Sequence, residues 1–335
     1  MLDRILKYNY SLIGILILVL SLKVVLYYLG YTDSGNYDSS ILLSIPTNTL
    51  WSGLLSGVFI VSLGIFIIYI IEKYNNHSRF SYWQVLIFTL LLSHHNLYGF
   101  SIEYIGLLAL IISHYFIYKD ISILKENPHV NNIFNIAIIL GLGSMFTPHL
   151  LLLLPFFWIS SLTIGIAPIR GLIALLLGCA LPYAFADAYI FIFKSDNAQF
   201  TYQLLIKELQ QTTNNLQFVF SSWEQLYLAI PFILLIFSVF CAILQIDSNK
   251  FIPRKFNTIN IILIVYTIII MVLQLMPIHL GGLILSSPIA YFISTFQNNA
   301  KPLTQTIVLV LLIISVCISY PIVINSIVSL IENIF

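Results

Sequence analysis

The residues able to do chemistry in this 335-residue chain stand mostly at the ends of its apolar runs. Asp33 and Asp38 lie in Tyr31-Thr32-Asp33-Ser34-Gly35-Asn36-Tyr37-Asp38, directly after the first such run. A carboxylate at a membrane mouth, partly shielded from water, can act as a general base or hold a divalent cation through oxygen. Asp, Ser, Gly and Asn also make turns, so a solvated turn is the competing reading. Glu103, in Gly99-Phe100-Ser101-Ile102-Glu103-Tyr104, opens a later apolar run. A helix dipole favours an acid there, and Ser101 suits a cap, so a structural role stands beside a catalytic one. His94 and His95 are adjacent; on a helix they point about 100° apart, which is poor geometry for one shared metal. Thr147-Pro148-His149 interrupts a run that would otherwise continue. Proline removes a backbone donor, and such breaks persist at membrane depth only where protein or a cavity covers them. His149 there meets an anionic substrate group, or simply sits in a tight turn. Met276-Pro277-Ile278-His279 repeats the pattern. Lys23 and Asp187 fall inside apolar runs, where a bare charge is expensive. His114 reads as a satisfied core residue.

The elements that must position these groups follow from composition. The chain is 59% hydrophobic and 8% charged, with mean hydropathy +0.98, against about 25% charged in soluble domains. It reads as an integral membrane protein. A net charge of +1 with no run of Lys or Arg excludes a nucleic-acid partner. Cys179, Cys241 and Cys317 are isolated in apolar sequence, without metal or redox spacing, and read as small core residues. Arg4 and Lys7 precede an apolar stretch that runs to Leu29 without a small-residue cleavage site, which predicts a retained first span.

Lengths near ~20 residues predict about eleven spans. They cover 9–29, 50–71, 84–98, 102–118, 132–147, 149–165, 169–193, 226–246, 257–276, 279–296 and 303–328. The expected fold is therefore an all-α, polytopic bundle in one transmembrane domain, 1–335. With the N-terminus cytoplasmic, 11 of the 14 Lys and Arg fall inside, leaving Lys23, Lys194 and Lys207. Cytoplasmic loops retain basic residues, so this orientation is preferred, with the C-terminus outside. It gathers Asp33, Asp38, His94, His95, Glu103, His149, Asp187 and His279 toward the outer face. Two outer segments are long, 30–49 and 194–225. The second spaces Phe200, Leu204, Leu205, Leu209 and Leu216 as a surface-lying helix would, and Trp223 and Tyr227 suit an aromatic belt. Reporter fusions after Thr47 and after Asn214 should both report the outer compartment; a cytoplasmic signal from either would disperse the polar gathering.

Three stretches resemble the GT-C glycosyltransferases, polytopic enzymes that take a sugar from a polyprenyl-phosphate carrier at the outer side of a membrane. Asp33-Ser34-Gly35-Asn36-Tyr37 is similar to their acidic first loop. Ser101 to Leu110 is similar to the span opened by a second acid. Leu140-Gly141-Leu142-Gly143-Ser144-Met145-Phe146-Thr147-Pro148, followed by Leu154-Pro155, is similar to their glycine-rich span. Ser34 stands where many members carry another acid, and Pro148-His149 where they carry Lys. The likeness covers residues 10–190. Residues 132–193 also resemble an uncharacterised family of bacterial polytopic inner-membrane proteins, and the heavy use of Ile, Asn, Lys and Tyr fits an AT-rich bacterial genome. The resemblance implies a multi-pass protein of the bacterial inner membrane acting on a polyprenyl-phosphate-linked sugar. It implies Asp33 as the base, or as a ligand of a divalent cation (Mg or Mn), and Glu103 as the second acid beside that ion or the acceptor. It implies contacts to the lipid-linked phosphate from His149 with Lys23 or His279, and substrate contact from Tyr37.

Two other classes stay open on sequence. A non-catalytic scaffold subunit of an envelope complex would have no use for the polar gathering, although a degenerate active site would look the same. A lipid or solute transporter wants ionisable residues near the midplane and paired broken helices in two related halves. Lys23, Asp187, Pro148 and Pro277 hint at that, but no repeat is evident.

Overall fold

The computed structural model describes residues 14, 16–25, 50–74, 82–92, 100, 103–122, 130–193, 229–244, 251–299 and 302–318. Every element among them is helical. In chain order these are α1 (Leu16–Val25), α2 (Leu50–Tyr74), α3 (Tyr82–Leu91), α4 (Glu103–Ser122) and α5 (Val130–Ser144). A 3-10 helix, Pro148–Leu153, leads into α6 (Leu154–Ile164) and then α7 (Pro168–Phe193). The remainder are α8 (Ala229–Leu244), α9 (Phe251–Val272), α10 (Ile278–Asn299) and α11 (Pro302–Ile318). Four stretches are long and apolar enough to cross a membrane: Leu50–Ile70, Glu103–Ser122, Pro168–Ile192 and Arg254–Val272. The other apolar helices among the described residues are shorter. A segment immersed in hydrocarbon must satisfy its own backbone, which a helix does and an irregular chain does not.

Helix ends follow local chemistry. Proline opens the 3-10 helix at Pro148, α7 at Pro168 and α11 at Pro302, positions where its missing N–H costs nothing. Gly165 closes α6 at φ 99°, with the Gly165 amide donating to Leu162 O and the Ile166 amide to Ser161 O. That paired pattern needs a left-handed residue, which glycine adopts freely. Gln274 takes the same role after α9 at φ 57°, donating to Met271 O while Leu275 donates to Ile270 O.

Three helices interlock through small residues. Gly141 and Gly143 lie two positions apart on α5, hence about 200° apart around its axis. A Cβ on Gly141 would come 2.9 Å from Cys179 O and 3.1 Å from Pro182 Cγ of α7. A Cβ on Gly143 would come 2.6 Å from Ala109 Cβ of α4. Gly178 of α7 faces back onto Phe134 O and Ala137 Cβ of α5, each 2.7 Å from where its own Cβ would be. So α5 is held between α4 and α7 at backbone contact distance. Lipid tails are as apolar as leucine, so close packing of this kind replaces hydrophobic burial as the cohesive force. Around this sandwich, α2 packs on α3 and α4, α9 on α4, α6 and α10, and α10 on α3 and α8. Fully buried Phe88, Tyr104, Phe156, Phe157, Phe256 and Phe292 fill the interior. One side of α7, with Ile169, Ile173, Leu177, Phe185 and Ile192, is exposed, a surface suited to lipid rather than water.

Candidate functional site

The break at residues 145–147 and the start of α4 meet. The Phe146 and Thr147 amides both donate to Gly143 O, ending α5, and the Leu150 amide donates to Thr147 O, starting the 3-10 helix. Thr147 and His149 are buried there. Gly106 lies one turn into α4 from Glu103, and a Cβ on it would sit 2.7 Å from Thr147 Oγ1 and 3.1 Å from Leu150 Cδ1. Residues three apart share a helix face. Glu103, which is half-buried, is therefore carried by the turn of α4 that abuts the Thr147-Pro148-His149 break.

Two further elements come to this end of the bundle. The start of α2 is tied to it where the Phe100 amide donates to Ser52 Oγ at 2.9 Å. Phe59, Phe100 and Tyr104 cluster beside that bond, with ring centroids 5.4 Å (Phe59–Phe100) and 5.9 Å (Phe100–Tyr104) apart. On α7, the Tyr183 hydroxyl is 2.6 Å from Ser144 Oγ, and Asp187 lies one turn further along, half-buried. Lys23 of α1 is fully buried. Its stem runs past Gly57 of α2, where a Cβ would be 3.8 Å from Lys23 Cγ. A lysine enclosed within an apolar bundle carries a charge that is costly to keep there.

Of the residues singled out in the sequence, Glu103, His149 and Asp187 are thus drawn toward one end, with Lys23 on the neighbouring helix pair. His279 falls in the first turn of α10, and its side chain lies outside the described residues. Asp33, Tyr37, Asp38, His94, His95 and both long segments, 30–49 and 194–225, lie wholly outside them. Only one of the two carboxylates suggested for a divalent cation is therefore described. Among the described residues no group of three or more His, Cys, Asp or Glu sits together as metal ligands would.

A second polar cluster lies at the opposite end of α4, and the sequence reading passed over it. The Tyr118 hydroxyl donates to Asn260 Oδ1 of α9 at 3.0 Å. The Tyr291 hydroxyl of α10 donates to Asn257 Oδ1 at 2.9 Å. Tyr118 also stacks on Phe256, with centroids 4.0 Å apart. Asn132 of α5 donates to the buried Asp120 carboxylate of α4, and Lys255 donates to Thr163 O at the end of α6. Each bond crosses between helices, so this cluster ties α4, α5, α6, α9 and α10 together. The available signal was the i, i+3 pair Asn257 and Asn260 within an apolar run, since amides inside such runs seek partners across helices. Tyr118→Phe keeps the stack and removes only the donor to Asn260. It should cost about 1–2 kcal/mol, read as lowered thermal stability of the purified protein. An unchanged transition would mean that the stack alone holds the contact.

His114, read from sequence as satisfied, is satisfied at one nitrogen only. Its Nδ1 lies 2.9 Å from Leu110 O, while its buried Nε2 has no hydrogen-bond partner among the described residues. No family model matches the chain, and no curated protein or solved structure is similar to it. The described residues form helices and the turns between them, with four stretches long and apolar enough to cross a membrane.

Proposed function

We propose that this chain is a multi-pass protein of a bacterial inner membrane, cytoplasmic at its N-terminus. In this reading it transfers a sugar from a polyprenyl-phosphate carrier to an envelope acceptor at the outer face. The observation that carries the proposal is the meeting of the Glu103 turn with the Thr147-Pro148-His149 break at the Gly106–Thr147 contact. Two stretches, each similar to a different part of a glycosyltransferase of this type, meet through Gly106 and Thr147 at one end of one bundle.

The chemistry asked of the site is limited. Asp33 takes the proton of the acceptor hydroxyl as its oxygen attacks the anomeric carbon. The bond from that carbon to the phosphate oxygen breaks, and polyprenyl phosphate leaves. Glu103 orients the acceptor. In this reading His149 and Lys23 contact the phosphate. A general base of this kind contributes about 10²–10⁴-fold. A lipid donor enters sideways from the bilayer, which suits a site between helices rather than a closed barrel.

The test uses membranes containing the full chain and a radiolabelled polyprenyl-phosphate sugar. Label should pass into envelope glycan or glycolipid, with and without added Mg²⁺ or Mn²⁺ to show whether the carboxylates work through an ion. If the wild-type chain moves no label while its deletion still disturbs the envelope, the scaffold reading replaces this one.

A further inference from the structure

His114 of α4 packs against α6, one turn from Tyr118, which stacks on Phe256 of α9. Its ring lies 5.8 Å from those of Tyr118 and Phe156 and 5.7 Å from that of Phe157, centroid to centroid. A carbonyl oxygen only accepts, so the contact to Leu110 O places the hydrogen on Nδ1. Nε2 of the neutral ring is then a lone-pair acceptor. It is buried, and no described residue donates to it.

Two hydroxyls around the same interior share this condition. Ser160 Oγ and Thr267 Oγ1 are fully enclosed and have no hydrogen-bond partner among the described residues. Ser160 lies one turn along α6 from Phe156 and Phe157, the two rings against His114. Thr267 belongs to the buried stripe Phe256, Asn260, Leu263 and Thr267 of α9, whose first two members touch Tyr118 of α4. An acceptor on α4 and donors on α6 and α9 therefore lie buried within three helices that pack on one another, unbonded among the described residues. Groups so placed are satisfied by internal water, which donates and accepts at once.

We infer that α4, α6 and α9 enclose a water-binding site in which ordered water donates to His114 Nε2 and accepts from the Thr267 or Ser160 hydroxyl. The site makes His114 a hydrated base inside the bundle, independent of the sugar-transfer proposal and away from the Glu103 end.

The full chain, labelled with ¹⁵N in its histidine rings and embedded in lipid bilayers, would be studied by solid-state magnetic resonance with magnetisation transferred from water. The His114 signal is assigned by its loss in His114→Phe or, should that variant not fold, in His114→Gln. The inference expects a hydrogen-bonded, unprotonated Nε2 that receives magnetisation from water. It expects that signal to move toward the free lone-pair position in the double variant Ser160→Ala, Thr267→Val, together with a thermal midpoint lowered by a few degrees. A free lone pair without water transfer in the wild type would overturn it. So would a double variant that melts at or above the wild-type temperature, because methyl groups would then have relieved two orphaned hydroxyls.

Discussion

Replacing Gly178 by leucine should prevent the chain from folding as a stable bundle, and alanine alone should weaken it measurably. A Cβ on Gly178 comes 2.7 Å from Phe134 O, a backbone atom of α5, and 2.7 Å from Ala137 Cβ. Neither neighbour is the free end of a flexible side chain, so relief requires α5 and α7 to separate. Separation would also stretch the Ser144–Tyr183 contact and loosen Gly143 from Ala109, since α5 touches both partners. Overpacking of this kind costs about 1–3 kcal/mol for a single added group, and leucine adds several. Gly282→Ala is the control, because nothing lies within 4 Å of the added carbon and alanine is the better helix former. Thermal unfolding and the yield of monodisperse protein would measure both. Equal behaviour of Gly178→Leu and Gly282→Ala would show that α5 and α7 do not approach at this point.

The largest functional effect is expected at the acids. Asp33→Asn preserves size and hydrogen bonding while removing charge and basicity, and should reduce sugar transfer by about 100-fold or more if Asp33 is the base. Glu103→Gln should lose activity as well. Any accompanying fall in stability should be small, because Glu103 is only half-buried at a helix start. Asp38→Asn, five residues beyond Asp33, should be milder. His149→Ala should act mainly through weaker use of the lipid donor, raising KM more than it lowers kcat. Transfer by Asp33→Asn at the wild-type rate, in membranes carrying equal amounts of protein, would remove Asp33 from the mechanism. Unchanged envelope glycans in both acid variants, where deletion alters them, would favour a scaffold.

Much of the helical plan was legible because the bilayer leaves the backbone so little choice. Apolar runs such as 50–71 and 169–193 have no stable alternative to helix in hydrocarbon, and α2 and α7 cover them. The break near Pro148 was legible for the same reason, since proline cannot donate to a continuing ladder. Boundaries were less so: α5 ends at Ser144 rather than near residue 147, because Thr147 must turn before the 3-10 helix begins.

Which residue types are present for chemistry, and that their carrier is apolar on most sides, can be read along the chain. Which of them meet depends on how the helices cross. In water, a helix declares its buried face by an apolar stripe. In lipid both faces are apolar, so periodicity carries little information about neighbours. Gly106 and Gly178 read in sequence as ordinary members of apolar runs, and their contacts with Thr147 and Phe134 follow from how α4, α5 and α7 cross. Lys23 read as a charge inside the first apolar run, and the structure encloses it against Gly57 of α2. Tyr118 and Asn260, 142 positions apart, become partners only because α4 and α9 pack together. A hydrogen bond of that range leaves no trace in local sequence, since its energy depends on geometry that the rest of the bundle supplies.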